Sequence, residues 1–198
     1  EGETDFAPSD LNDAMLQMAT QLAGIHRIDV SNQDLSFLPE QARIYAENFR
    51  TRPGKLDESI GEGRIRDTLE AAWPLTQRNT SVLLHGDFWP GNVLWKEGQL
   101  AAVIDWEDAQ FGDPLADVAN GRFEILCAFG MEGMQGFTCH YQSMNPIAFT
   151  NLPYWDLCAA LRVAFKIPEF AEDDLDEEKL REAHKWFVDQ AYDEIANG

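Results

Sequence analysis

The chain has 198 residues, 44% hydrophobic and 25% charged, which suits one soluble globular domain with a real core and falls short of promising two. A formal charge of −20 with no basic stripe argues against a nucleic-acid partner, since a phosphate backbone would be repelled. No run approaches eighteen apolar residues and no charged segment precedes an apolar one, so neither a membrane span nor a secretory leader is visible and the cytoplasm is the expected compartment.

In chain order, residues 1–9 are polar and read as a frayed lead-in. Leu11, Met15, Met18, Leu22, Ile25 and Ile28 recur at helical spacing, predicting a helix over 11–28 capped by Asp10 or Ser9. A second helix is predicted over 39–50, broken by TRPGK (51–55), and a third over about 58–77, its start delayed by Gly61 and Gly63. The period then shortens. TSVLLH (80–85), NVLWK (92–96) and LAAVIDW (100–106) read as strands, the last two joined by the hairpin signal Glu97-Gly98-Gln99. Helices return over 114–130, 133–144, 152–166 and 175–196, the first opened by Asp113 as N-cap with Pro114 in the first turn. The acidic block EFAEDDLDEE (169–178) reads as a solvated cap of the last helix, where the helix dipole favours carboxylates. The fold class expected is α+β, mainly helical, with a small β insert at its middle.

Three cysteines (Cys127, Cys139, Cys158) without a C-x-x-C pair read as reduced thiols, and the four histidines make no zinc pattern. The conspicuous polar residues flank the β insert. His85-Gly86-Asp87 closes the first strand, Asn92 opens the second and Asp105 closes the third, so a hairpin-like layout brings Asp87, Asn92 and Asp105 to one end of a small sheet. Hard oxygen donors with no thiolate or imidazole suit Mg²⁺, which takes one or two carboxylates plus waters and phosphate oxygens. A carboxylate left free beside such a metal can accept a proton from an attacking hydroxyl. These are the parts of a phosphoryl-transfer site. The aromatics Phe88, Trp89 and Trp106 are expected to pack around the loop as core formers.

HGDFWPGNVLW (85–95) followed by VIDWEDAQFGDPLADVA (103–119) closely resembles the aminoglycoside phosphotransferase and choline kinase group of kinase-like enzymes. Their pattern H-G-D-x-x-x-x-N, I-D, G-D-P-x-x-D-x-A stands here as His85-Gly86-Asp87, Asn92, Ile104-Asp105, Gly112-Asp113-Pro114, Asp117 and Ala119, with every spacing intact. LAGIHRID (22–29) resembles an L-A-x-x-H-x-x-D segment of an early helix in the same lobe. The resemblance implies the C-terminal lobe of the protein-kinase-like fold, with ATP or GTP as phosphoryl donor and Mg²⁺ as cofactor. It implies Asp87 as the catalytic aspartate, His85 as a brace of the catalytic loop, Asn92 and Asp105 as the metal ligands that bridge to the nucleotide, and Asp117 as a carboxylate tying the next helix to the loop.

That family also needs an N-terminal lobe with a loop over the phosphates and a strand lysine. No G-x-G-x-x-G and no such lysine occur here, so residues 1–198 read as one isolated C-terminal lobe whose partner is the N-terminal lobe of the same protein, inactive by itself. Trp89 stands where protein kinases commonly carry a lysine, and no A-P-E-like segment follows, which favours a small-molecule hydroxyl over protein side chains. Aromatics (Phe123, Tyr141, Tyr154, Trp155, Trp186) and acids (Glu124, Asp156, Glu169, Asp173) in 114–196 could hold a cationic amine, but a helical core explains them better. Aminoglycoside, choline, amino alcohol and sugar stay open as acceptors. The rival readings are a non-catalytic, pseudokinase-like binding module and a Mg²⁺-dependent hydrolase; the kinase-like spacing speaks against the second.

Overall fold

A computed structural model describes residues 8–32, 34–164, 167, 171 and 173–197. Most of the expected lead-in, Glu169 and part of the acidic block lie outside the described residues. Helix α1 (Leu11–His26) forms as its spacing dictates: the Asp10 side chain accepts from the Asp13 N–H at 3.0 Å, and Met15, Met18 and Leu22 are fully buried one turn apart. Each such side chain removed from water contributes roughly 1.5–3 kcal/mol. Helix α2 (Gln41–Arg50) is followed by a 3₁₀ turn (Glu58–Ile60) and α3 (Glu62–Ala72). The third helix is shorter than expected at both ends. Gly61 takes a left-handed φ of 70° that separates the turn from the helix, and Pro74 stands just past its last residue.

The β insert differs in topology from the single sheet expected. Strands β2 (Val93–Lys96) and β3 (Gln99–Val103) form the anticipated hairpin, with Glu97 and Gly98 both at positive φ as a tight turn requires. Strand β1 (Val82–Leu84) instead pairs antiparallel with β4 (Gln110–Gly112), so the described residues form two two-stranded ribbons. The short QFG segment carries no alternation that would mark it as a strand; its long-range partner defines it.

Helix α4 (Leu115–Met144) runs through both predicted segments 114–130 and 133–144, kinked at Gly130, whose φ of 74° and ψ of −174° are non-helical. The Asp113 carboxylate accepts from the Leu115 N–H at 3.0 Å and fixes the helix start. Helix α5 (Leu152–Val163) and α6 (Asp174–Asn197) complete the chain. At the start of α6 the Asp173 carboxylate accepts from the Asp176 N–H at 2.9 Å, a capping contact. Helix α1 packs along α4, α4 on α5, and α5 on α6 around one apolar core.

Several residues weighed as acceptor contacts are consumed by that core. Phe123, Tyr141 and Trp155 are buried, and Tyr154 and Trp186 pack against the same cluster. Asp156 is fully buried and holds Arg122 through two hydrogen bonds of 3.0 Å, with Gln190 adding a third. Burial pushes the Asp156 carboxyl up to about 6, against the pull of Arg122. This pair ties α4, α5 and α6 together. Cys127 and Cys158 are pushed up in pKa by burial, Cys127 to about 12, while Cys139 is exposed. Titration with a chromogenic disulfide should therefore give one fast thiol in the native chain and all three in denaturant; a fast reaction at Cys158 would contradict the packing of α5.

Candidate active site

The segment between β1 and β2 is held from three sides. From α4, buried Asp117 accepts the backbone N–H of His85 at 2.7 Å and of Gly86 at 2.9 Å, one on each carboxylate oxygen. One helical turn on, the Asn120 amide donates to the Phe88 carbonyl at 3.2 Å. From α1, His26 places Nε2 at 3.2 Å from Asp117, while its Nδ1 accepts from the Tyr141 hydroxyl at 2.6 Å. This explains the histidine of the LAGIHRID segment: it is a buried strut of α1 that reaches the loop through Asp117.

His85 is fully buried, with both ring nitrogens engaged. Nδ1 accepts from the Asp87 N–H at 3.3 Å, so Nε2 carries the proton and donates to the Ile104 carbonyl at 2.9 Å. Ile104 is stapled at its other end too, since its N–H donates to the Asn92 carbonyl at 2.9 Å. Asp105 follows directly, with φ at 64°, a left-handed conformation that a short polar side chain tolerates. The Asn92 amide nitrogen donates to the Asp87 carbonyl at 2.9 Å and to its carboxylate at 3.1 Å, leaving the amide oxygen as the group not used by these bonds. The fold thus brings Asp87, Asn92 and Asp105 to one place, the first two in direct contact and the third through Ile104.

Gly86 makes this turn at a φ of 84°, and a Cβ there would overlap the Asp108 carbonyl oxygen. Gly86→Ala is expected to destabilise the chain by at least about 1–3 kcal/mol, the usual cost of a strained backbone. The urea midpoint reads it directly, and an unshifted midpoint would mean that the loop does not close on Asp108 as described.

Phe88 is buried and stacks on Phe137, as expected of a core former. Trp89 and Trp106 depart from that expectation at 38% and 39% exposure. Trp106 lies over the His85 ring with centroids 4.6 Å apart, and Trp89 covers Gly91, so each shields loop backbone with one face only.

Beside Gly86 opens a cleft of about 460 Å³ between the loop, α2, α3 and α5, lined by Tyr45, Phe49, Arg66, Gly86, Asp108 and Arg162 among others; His85, Asp87, Asn92 and Asp105 are not in its lining. Glu124, Asp156 and Asp173 do not line it, and Glu169 lies outside the described residues. Arg162 of α5 is the residue that sequence reasoning missed. Its guanidinium donates to the Gly86 carbonyl at 2.6 Å, to Asn120 at 3.2 Å, to Asp87 at 2.8 Å and to Asp108 at 3.1 Å. It stands 75 residues from Asp87 in an ordinary helical segment, so no local pattern marks it.

A profile of the phosphotransferase enzyme family (APH) matches residues 1–132. The chain belongs to that family. Viomycin phosphotransferase of Streptomyces vinaceus is 32% identical over 111 residues, which are 52% of this chain and 38% of that protein. Acyl-CoA dehydrogenase family member 10 of Mus musculus is 29% identical over 125 residues, 59% of this chain and 11% of that protein. The chain therefore spans well under half the length of these curated relatives. Among solved structures, the GDP and kanamycin complex of the phosphotransferase APH(2″)-IIIa superposes with a TM-score of 0.61 at 18% identity, covering 100% of this chain and 69% of that one. The kinase-like phosphotransferase fold is shared, mainly helical as the sequence implies. No helix among the described residues is long and apolar enough to cross a membrane.

The donor set around the loop fits Mg²⁺. Among the described residues no cluster of three or more His, Cys, Asp or Glu could cage a metal by itself. The Asn92 amide oxygen and the Asp105 carboxylate are hard oxygen donors, the type Mg²⁺ takes when phosphate oxygens and waters complete its shell.

Proposed function

We propose that the protein is an ATP- or GTP-dependent O-phosphotransferase acting on a small-molecule hydroxyl, and that residues 1–198 are its C-terminal lobe. The observation that carries this reading is the contact of Asp87 with Asn92 on a loop that opens onto the 460 Å³ cleft. In this reading Asp87, next in sequence to the cleft-lining Gly86, takes the proton of an acceptor hydroxyl. The oxygen then forms a bond to the γ-phosphorus, the bond to the bridging oxygen breaks, and the nucleoside diphosphate leaves.

Asn92 and Asp105 hold Mg²⁺ in this reading, and when bound the metal neutralises charge on the donor phosphates. The left-handed backbone at Asp105 supports its role, because strained non-glycine residues concentrate at functional sites. His85 braces the loop from within. The N-terminal lobe of the same protein supplies the remaining nucleotide contacts, a view supported by the 69% of the APH(2″)-IIIa chain that this chain covers. The acceptor classes that stay open are aminoglycosides, choline, amino alcohols and sugars. The cytoplasm, where nucleotide is available, is the compartment proposed.

The test is a screen of hydroxyl compounds with the full-length protein, Mg²⁺ and labelled nucleotide. Label should pass to one acceptor class at rates of about 1–100 per second, with little turnover by residues 1–198 alone. Turnover by the isolated chain in that range would refute the lobe assignment, and nucleotide hydrolysis independent of every acceptor would favour a hydrolase.

A further inference from the structure

Between His85 and Gly112 the chain carries five carboxylates (Asp87, Glu97, Asp105, Glu107, Asp108) and one cation, Lys96, on the exposed far end of β2. A nucleoside triphosphate approaching this loop meets its own sign of charge. Trp89, two residues after Asp87, offers no compensation, and Arg66 in the cleft pairs with Glu62 of its own helix at 2.8 Å, not with the loop. Among the described residues, a cation reaches Asp87 from another element: the Arg162 guanidinium of α5, 2.8 Å from Asp87 and 3.1 Å from Asp108.

Resting on the phosphotransferase reading above, we propose that Arg162 is a further catalytic residue, which stabilises the charge on the transferring phosphoryl group while aiming Asp87. Three features of the geometry carry this. Both terminal nitrogens have two acceptors each, Gly86 and Asn120 on one, Asp87 and Asp108 on the other, so the planar fork is fixed before any ligand arrives. Its side chain stays 29% exposed and lines the cleft. One of its nitrogens also touches one oxygen of the Asp87 carboxylate, the group that takes the hydroxyl proton in this reading. As the acceptor oxygen bonds to the γ-phosphorus and the bridging bond breaks, the proton passes to Asp87, and the charge spread over the equatorial oxygens meets a preorganised cation.

The test compares Arg162→Gln, Arg162→Ala and Arg162→Lys in the full-length protein. Gln should lower kcat on the order of 100-fold, as loss of a preorganised donor does, with acceptor KM, Mg–nucleotide affinity and melting temperature little changed. Lys should retain more activity than Gln, and free guanidinium should restore part of the Ala variant. A Gln variant with wild-type kcat would overturn the proposal. So would a loss that tracks melting temperature and that neither Lys nor guanidinium relieves, since Arg162 would then only tether α5. Should the Gln variant fail to fold, a folded Lys variant with wild-type kcat overturns it, and one whose kcat falls at unchanged acceptor KM and melting temperature supports it. Asp87→Asn is the control: activity surviving there would sink the reading of the whole site, whereas an inactive Asp87→Asn beside an unaffected Arg162→Gln removes Arg162 alone.

Discussion

Replacing Asp87 by Asn in the full-length protein is expected to abolish phosphoryl transfer, by a factor on the order of 10² to 10⁴ for loss of a general base, while nucleotide affinity holds. Asn is close to isosteric, so the loop path through Gly86 and Asn92 survives. It cannot, however, accept on both sides. The Asp87 carboxylate receives Arg162 on one oxygen and Asn92 on the other, and an amide nitrogen facing either donor leaves a contact unmade. A parallel melting curve separates this local disturbance from lost chemistry. Transfer within a few-fold of wild type would remove Asp87 from the mechanism.

The largest stability effect is expected at Asp117. Its carboxylate sits at 2% exposure with the His85 and Gly86 N–H groups on its two oxygens and His26 against it. Asp117→Ala leaves two backbone donors, one buried and one part-buried, and a buried imidazole without their acceptor. By analogy with deleting one partner of a buried charged network, the cost is about 3–5 kcal/mol. For a domain of this size that is a fall in melting temperature of roughly 6–20 °C. Asp117→Asn keeps one acceptor and should cost less. Thermal or urea unfolding of residues 1–198 measures both, and an Ala variant within about 1 kcal/mol of wild type would contradict the account of how α4 holds the loop.

What the sequence disclosed follows from how local each determinant is. The Asp10 cap, the Glu97-Gly98 turn and the Asp113-Pro114 helix start are decided within four residues, and each stands where the sequence places it. Asp87, Asn92 and Asp105 were legible because their spacing is a motif. Determinants that depend on a distant partner were not. The β4 segment is a strand only because β1 reaches it, and α4 continues past Gly130 because buried residues on both sides of the kink pack in the same core. Trp89 and Trp106 were misplaced for a related reason: residue type predicts an apolar surface but not which face the loop leaves bare. Arg162 needed the approach of α5 to the loop, which nothing between Leu152 and Val163 announces.

The division of labour around the loop also orders the expected phenotypes. Asp117, His26 and Asn120 hold backbone, so their loss is felt first as stability. Asp87, Asn92 and Asp105 carry the proposed chemistry, so their loss is expected to be felt as transfer. Asn92 belongs partly to both groups, because its amide nitrogen supports Asp87 while its oxygen is not used by these bonds.

The most direct test of the central claim is a crystal structure of the full-length protein with Mg²⁺ and a non-hydrolysable nucleoside triphosphate. The account predicts a metal about 2.0–2.1 Å from the Asn92 amide oxygen and an Asp105 carboxylate oxygen, with the γ-phosphate facing Asp87 across the mouth of the cleft. A nucleotide bound elsewhere, or a metal that leaves both Asn92 and Asp105 unligated, would contradict it.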